Sequence, residues 1–210
     1  MIIYGASLSP FVRKVLVVGA EKGMALENKI VSPAAPDPDF IACSPFGKIP
    51  ALKDGDFTIS DSTAIVHYLE ALQPEPAMIP AEAKARARTV WYEEFIDTIL
   101  VPVGGKMFFN RIVAPKFMGK PGDMDLADKA EREELPPVLD YIESIAPSSG
   151  FLVGEGLTLA DIAMASPFAN FRHMDTDLSR WPKTLAYVDT ILARPSFTRL
   201  TEMENRILGR

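Results

Sequence analysis

A single cysteine, Cys43, leaves this chain of 210 residues without an internal disulfide, which fits a reducing compartment. A basic excess is missing too. Lys and Arg number 22 against 28 Asp and Glu, a formal net charge of −6, with the cations scattered. That balance argues against nucleic acid as a partner, because such a surface is built on a concentrated positive field. No apolar run approaches the roughly 18 residues needed to cross a bilayer, and the first residues show no basic stretch followed by an apolar one. The expectation is a cytoplasmic protein with neither a membrane nor a nucleic-acid partner. The two histidines, His67 and His173, stand in no spacing with other ligands, so no metal site is expected. Cys43 lies among apolar neighbours and reads as a small core residue, since a nucleophilic thiol needs an electropositive, accessible setting.

What is present is ample apolar material, 48% of the residues, enough for one large core or two small ones. The stretch Ser7 to Lys14, SLSPFVRK, follows the apolar run Met1 to Tyr4. It precedes Val12, Val15, Leu16 and Gly19 at helical spacing, so it reads as strand, turn and helix. Ser9 falls at the N-cap and Pro10 at the first helical position, where the fixed φ of proline is already helical. Two readings of Ser9 stand side by side. Its hydroxyl can cap the helix, a contribution of about 1 kcal/mol. Alternatively, the positive helix end and the hydroxyl can together hold an anion, and a thiolate placed there would form below the usual thiol pKa of about 8.5.

Gly23 ends the first helix where a left-handed residue is wanted. Asn28 to Ser32 reads as a second strand, joined to the first by a helix and therefore parallel to it. Pro33 to Asp39 is too rich in proline to be regular, and Phe40 to Cys43 suggests a short helical turn. Asp54-Gly55 between Pro50–Lys53 and Phe57–Ile59 signals a hairpin. Ser60-Asp61-Ser62 offers caps for a helix carrying Ile65, Val66, Leu69 and Leu72. The first ~72 residues thus read β-α-β-α-β-β-α, a small mixed sheet with helices on it.

Leu72 to Pro80 carries three prolines and reads as a linker. Beyond it strand signals vanish. Ala81 to Leu100 is helical, with Trp91, Phe95 and Ile99 spaced by four. A bend is expected at Pro102 and Gly104-Gly105, a loop over Pro115 to Asp123, and a helix over Leu126 to Ile145 broken near Pro136-Pro137. Thr158 and Asp161 form a capping box for a buried helix, with Leu157 and Ile162 as its hydrophobic staple. A last helix spans Pro182 to Ala193. The division expected is 1–73, a linker over 74–80, and an all-α region over 81–210.

Taken together, these pieces resemble the glutathione transferase family over essentially the whole chain. SPFVRK followed by EKG resembles the active-site turn of the serine-type, tau-like and related bacterial classes. FGKIPAL resembles the loop with the family's cis-proline, and DSTAIVHYLE the segment that holds the γ-glutamyl end of glutathione. LTLADIAMA and WPKTLAYVDTILARPSF resemble two helices of the C-terminal domain.

The resemblance implies a fold of α/β plus all-α type, a thioredoxin-like N-terminal domain followed by a helical C-terminal domain. It implies glutathione as co-substrate, a small electrophile as second substrate, a homodimer, and a role in detoxification. Ser9 matches the activating serine, with Ser7 as its rival. Ile49, before the cis-proline Pro50, would pair its backbone with the cysteinyl unit. Asp61 and Ser62 match the usual Glu-Ser pair that meets the γ-glutamyl amine and carboxylate, with aspartate one methylene shorter. Val31 to Cys43 offers no cation for the glycyl carboxylate, which leaves Lys48 for that role. Phe11, Met107, Phe108 and the Lys116–Lys120 loop are the candidates to line the second-substrate pocket. Serine in place of the cysteine of other classes favours conjugation, isomerisation or displacement over thiol exchange. A glutathione-dependent isomerase or dehalogenase, and a non-catalytic interaction domain of this fold, are the rival readings.

Overall fold

The computed structural model describes residues 1–31, 37–148 and 150–210. The expected irregular segment from Pro33 falls largely on residues outside that set. The chain divides into two compact units, one of Met1–Pro80 with Arg194–Arg210, the other of Ala81–Ala193.

In the first unit the order is β1 (Ile2–Tyr4), α1 (Pro10–Glu21), β2 (Glu27–Lys29), α2 (Pro38–Cys43), β3 (Ala51–Asp54), β4 (Phe57–Ser60) and α3 (Ser62–Leu72). The sheet order is β2-β1-β3-β4, with β1 parallel to β2 and antiparallel to β3, and β3 antiparallel to β4. The β3–β4 hairpin turns through two residues, and Gly55 takes the first of them at φ +57°, a value that favours glycine. Strand β2 pairs earlier than the apolar pair Ile30-Val31 suggests. It lies at the sheet edge, where polar residues are tolerated, and Asn28 anchors it by donating to the carbonyls of Ile3 at 3.1 Å and Gly5 at 2.9 Å.

Helix α1 is buried from Val12 to Gly19, as befits a helix covered on all sides. One of its neighbours is α11 (Pro195–Leu208). The expectation that everything after residue 80 belongs to the helical region is therefore corrected: Arg194–Arg210 returns to the first unit. The Pro74–Pro80 linker is also tethered. The ammonium of Lys22 donates to the carbonyls of Gln73 and Pro76, at 2.7 and 2.8 Å, and pairs with Glu70. Glu70 in turn accepts from the N–H groups of Met78 and Ile79, both at 3.0 Å.

The second unit is helical: α4 (Ala83–Phe95), α5 (Val101–Phe108), α6 (Ala114–Phe117), α7 (Met124–Lys129), α8 (Leu135–Ile145), α9 (Leu159–His173) and α10 (Pro182–Leu192). Three five-residue π turns, Ile96–Leu100, Phe109–Val113 and Ala130–Glu134, join consecutive helices. Each is followed within two residues by a proline, Pro102, Pro115 or Pro136. Proline has no N–H and crowds the preceding turn, and the wider π turn absorbs both effects without breaking the rod. The bend at Pro102 and the break at Pro136-Pro137 thus become continuous passages, and the expected loop at Pro115 begins only after Phe117.

Helix α9 is buried from Leu159 to Phe171. At its start Asp161 accepts from the N–H and hydroxyl of Thr158, both at 2.9 Å, from the N–H of Leu152 at 2.8 Å and from the Tyr187 hydroxyl at 2.6 Å. Burial first, then the neighbouring carboxylate, pushes the Tyr187 hydroxyl far above its ordinary pKa. The Trp91 and Ile99 side chains face outward, while the packed stripe of this stretch is Thr89, Tyr92, Glu93, Ile96 and Leu100. Trp91 stacks on Phe95, and Tyr141 meets both edge-on.

Candidate functional site

The sheet register brings three expected segments to one end of the first unit. Tyr4 pairs with Ala51, and Ala51 with Ser60. Strands are spaced by about 4.8 Å, so the turn after β1, the Ile49-Pro50 entry to β3 and the Asp61-Ser62 exit from β4 leave the sheet side by side. That turn carries Ser9. Gly5 makes the approach possible: its φ is +133°, and a Cβ there would lie 2.6 Å from Val12 and 3.0 Å from Ile49. No other residue accommodates both the angle and the contact.

Ser9 sits at the N-cap of α1 in extended geometry, with Pro10 following. Its N–H donates to Ala6 O at 3.0 Å and its carbonyl accepts from Arg13 N–H at 2.9 Å, yet its hydroxyl makes no capping hydrogen bond. The plain capping reading therefore has no bond to rest on. Ser7 differs. It is fully buried, and its hydroxyl oxygen has no hydrogen-bond partner among the described residues.

The Ile49–Pro50 peptide is cis. Among the described residues, neither the N–H nor the carbonyl of Ile49 takes part in a backbone hydrogen bond, so both are available to an extended ligand. Asp61 caps α3, its carboxylate accepting from Ala64 N–H at 3.0 Å, with φ at +96°. That angle costs a non-glycine residue of order 1–3 kcal/mol, and such strain gathers at functional sites. Ser62, buried, opens the helix, where free N–H groups and the helix dipole favour an anion.

Lys48 is exposed, and its carbonyl accepts from the Ser44 hydroxyl at 2.7 Å. Two other cations of this unit are engaged: Lys29 with Asp37 at 2.6 Å and Lys53 with Asp39 at 3.2 Å. The hydrogen bond that the Lys29 ammonium donates to the Asp37 carboxylate raises the Lys29 pKa and lowers that of Asp37. Cys43 packs with Tyr4, Phe40 and Ala51, and burial pushes its thiol up.

Of the three expected lining residues, Phe11 is partly exposed in the first turn of α1, whereas Met107 and Phe108 are buried in α5. A fully enclosed side chain such as Met107 offers no surface to a ligand from solvent, so its role in this structure is packing. Lys116 belongs to α6 and the residues that follow it to Lys120 are exposed. Among the described residues there is no group of three or more His, Cys, Asp or Glu placed to hold a metal, and no helix is long and apolar enough to cross a membrane. Sequence reasoning missed Arg13, one turn after Ser9, which is fully buried against Glu204 of α11. No local signal marks a partner so distant in the chain.

Residues 3–77 match the family model for the glutathione S-transferase N-terminal domain, and residues 106–195 that for the C-terminal domain. The chain is 33% identical over 205 residues to glutathione S-transferase 3 of Zea mays, covering 94% of this chain and 91% of that protein. It is 31% identical to a glutathione S-transferase of Hyoscyamus muticus, covering 96% and 98%. The crystal structure of glutathione transferase F7 from Populus trichocarpa superposes with a TM-score of 0.83 at 28% identity, over 96% of this chain and 97% of that one.

Proposed function

The chain belongs to the glutathione S-transferase family and uses glutathione as its co-substrate, and from that premise we propose that Ser9 is the residue that activates the glutathione sulfur. The Ser9 hydroxyl donates a hydrogen bond to the thiolate at the positive end of α1. The thiol proton leaves to solvent, and the sulfur lone pair then forms a bond to an electrophilic carbon as the leaving group departs with the electrons of the broken bond. The observation that carries this reading is the Ser9 hydroxyl itself: at an N-cap, partly exposed, and with no capping bond. Ser7 lacks that access.

Around that sulfur, Ile49 pairs its N–H and carbonyl with the cysteinyl unit. Asp61 meets the γ-glutamyl ammonium, and the Ser62 hydroxyl and N–H hold the adjoining carboxylate. Lys48, exposed on the loop before Pro50, serves the glycyl carboxylate. The second substrate is a small, mostly apolar electrophile, with Phe11 against it. The active species is a cytoplasmic homodimer. Support for the second copy comes from Phe46, 90% exposed on the first unit, a cost in water that a partner surface removes.

The test is a calorimetric titration of glutathione into wild type and Ser9→Ala, with thiolate ultraviolet absorbance followed across pH. Binding by both proteins, with the thiolate forming at lower pH in the wild type, supports the reading. Equal thiolate titration in the two proteins overturns it.

A further inference from the structure

Helix α1 begins without the usual supports of a helix start. The Ser9 hydroxyl makes no capping hydrogen bond, and no acidic residue lies in the first turn. The first N–H groups of a helix have no intrahelical partners, and the end frays unless something holds it. A hydroxyl left free for a ligand therefore needs its turn fixed from elsewhere.

The first hydrogen bond of the helix leads to the anchor. The Ser9 carbonyl accepts from the N–H of Arg13 at 2.9 Å, so the backbone of Arg13 closes the turn that bears Ser9. The Arg13 side chain is itself fixed, with Nε and Nη2 donating to Oε1 and Oε2 of Glu204 at 3.0 and 2.9 Å. Two parallel bonds between planar groups set direction as well as distance. Both side chains are fully buried, so solvent neither screens the pair nor competes for it.

Glu204 comes from α11, which packs on α1. The buried residues of α11 are Phe197, Glu204 and Leu208, a single helical stripe in which a carboxylate stands among apolar side chains. About two turns beyond Arg13 along α1, Glu21 accepts from Arg194 Nε at 2.9 Å and Nη2 at 2.7 Å. Helix α11 thus runs antiparallel to α1 and holds it at both ends. The Glu204 contact lies about 6 Å along the axis from Ser9.

Stability is a weak reason for a buried ion pair at this place. Apolar side chains of similar volume are often as stable or more so. What they do not supply is a fixed direction, and a reacting group misplaced by about 1 Å can lose about 10²-fold in rate.

We propose that Glu204 is a positioning residue for the transferase reaction: through Arg13 it holds the first turn of α1 so that the Ser9 hydroxyl meets the glutathione sulfur. The proposal rests on the activating role given to Ser9. Glu204 acts through Arg13 alone and does not touch substrate.

The experiment follows thiolate ultraviolet absorbance across pH and steady-state kinetics with an aryl halide, at a temperature where urea unfolding shows the variants folded. Arg13→Met combined with Glu204→Leu removes both charges and fills the space with apolar groups. The glutathione thiol should then titrate at higher pH, and kcat should fall about ten- to a hundredfold. The KM for glutathione should change by less than about threefold, because Ile49, Asp61 and Ser62 are untouched. Arg13→Lys keeps the charge and loses the fork; it should move both readings the same way by less, which separates aim from charge. In a Ser9→Ala background the double substitution should add nothing, since no hydroxyl remains to be aimed. Wild-type titration and turnover in the double variant or in Arg13→Lys overturn the proposal, as does a full additional loss in the Ser9→Ala background. Ser9→Ala alone titrating like wild type overturns instead the role given to Ser9, whatever the pair variants do.

Discussion

Arg13 and Glu204 lie 191 positions apart in sequence and meet as a two-point ion pair, Nε to Oε1 at 3.0 Å and Nη2 to Oε2 at 2.9 Å, with both side chains fully buried. The pair joins α11 to α1 one turn beyond Ser9. Its cost in desolvation is offset only while both partners are present. Glu204→Leu should therefore destabilise the protein by about 3–5 kcal/mol, read by urea unfolding. Arg13→Met combined with Glu204→Leu should recover most of that loss, since no charge is then left stranded; a double variant as unstable as the single one would contradict this account.

Ser9→Ala should reduce turnover by about 10²–10³, the usual result of removing one donor from a developing or stored anion. Glutathione affinity should change far less, because Ile49, Asp61 and Ser62 are untouched. Steady-state kinetics with two unrelated aryl halides check this, and full activity with both would remove Ser9 from the mechanism.

Asp61 separates binding from stability. Asp61→Gly relieves a backbone strain of order 1–3 kcal/mol and forfeits the cap on Ala64 N–H, a loss of only about a few tenths of a kcal/mol when glycine takes the N-cap. Unfolding free energy should stay at or above that of wild type, while glutathione binds about ten- to a hundredfold more weakly through loss of a charge-assisted hydrogen bond. Unchanged affinity in calorimetry would show that the strained aspartate serves the helix alone.

The hydrogen bond from Arg194 holds the Glu21 carboxyl below its ordinary pKa. A carboxylate depressed in the folded state stabilises above its unfolded value, about 4.3, and that stabilisation is lost as pH falls through the lower, folded value. Wild type should thus be more stable than Glu21→Gln at pH 7, and the two unfolding curves should converge as pH falls through the lowered, folded-state value. A gap that widens on acidification would reverse the assignment.

Phe46 tests the assembly. Wild type should sediment as a dimer, and Phe46→Ser should raise the dimer dissociation constant about tenfold or more, as truncating an aromatic anchor does. A wild type that sediments as a monomer at micromolar concentration would leave Phe46 without that role.

The elements that could be read in the chain were those whose cause lies within a few residues. Gly23 takes φ +68° after α1, and Gly55 turns the hairpin. Asp161 closes on Thr158 three positions away, and Pro10 follows its N-cap. The segments bearing Ser9, Ile49-Pro50 and Asp61-Ser62 could be picked out for the same reason, as short motifs in a fixed order. Local readings failed where packing chose between equals. Trp91 and Ile99 form as regular a stripe as Tyr92, Ile96 and Leu100, and contact with α9 decided which stripe was buried.

By itself, then, the sequence determined the two kinds of secondary structure, their order and the short motifs that carry Ser9, Ile49-Pro50 and Asp61-Ser62, because caps, turns and periodicity act over one or two turns of chain. Only the tertiary structure decided that α11 returns to α1, that Ser7 is enclosed while Ser9 keeps a hydroxyl uncommitted to capping, and that Asp61 is held at a strained angle. Those outcomes depend on contacts between residues far apart in sequence, such as Arg13 with Glu204 and Gly5 with Ile49. Closing such contacts takes the free energy of a whole core, to which no short stretch of sequence is a guide.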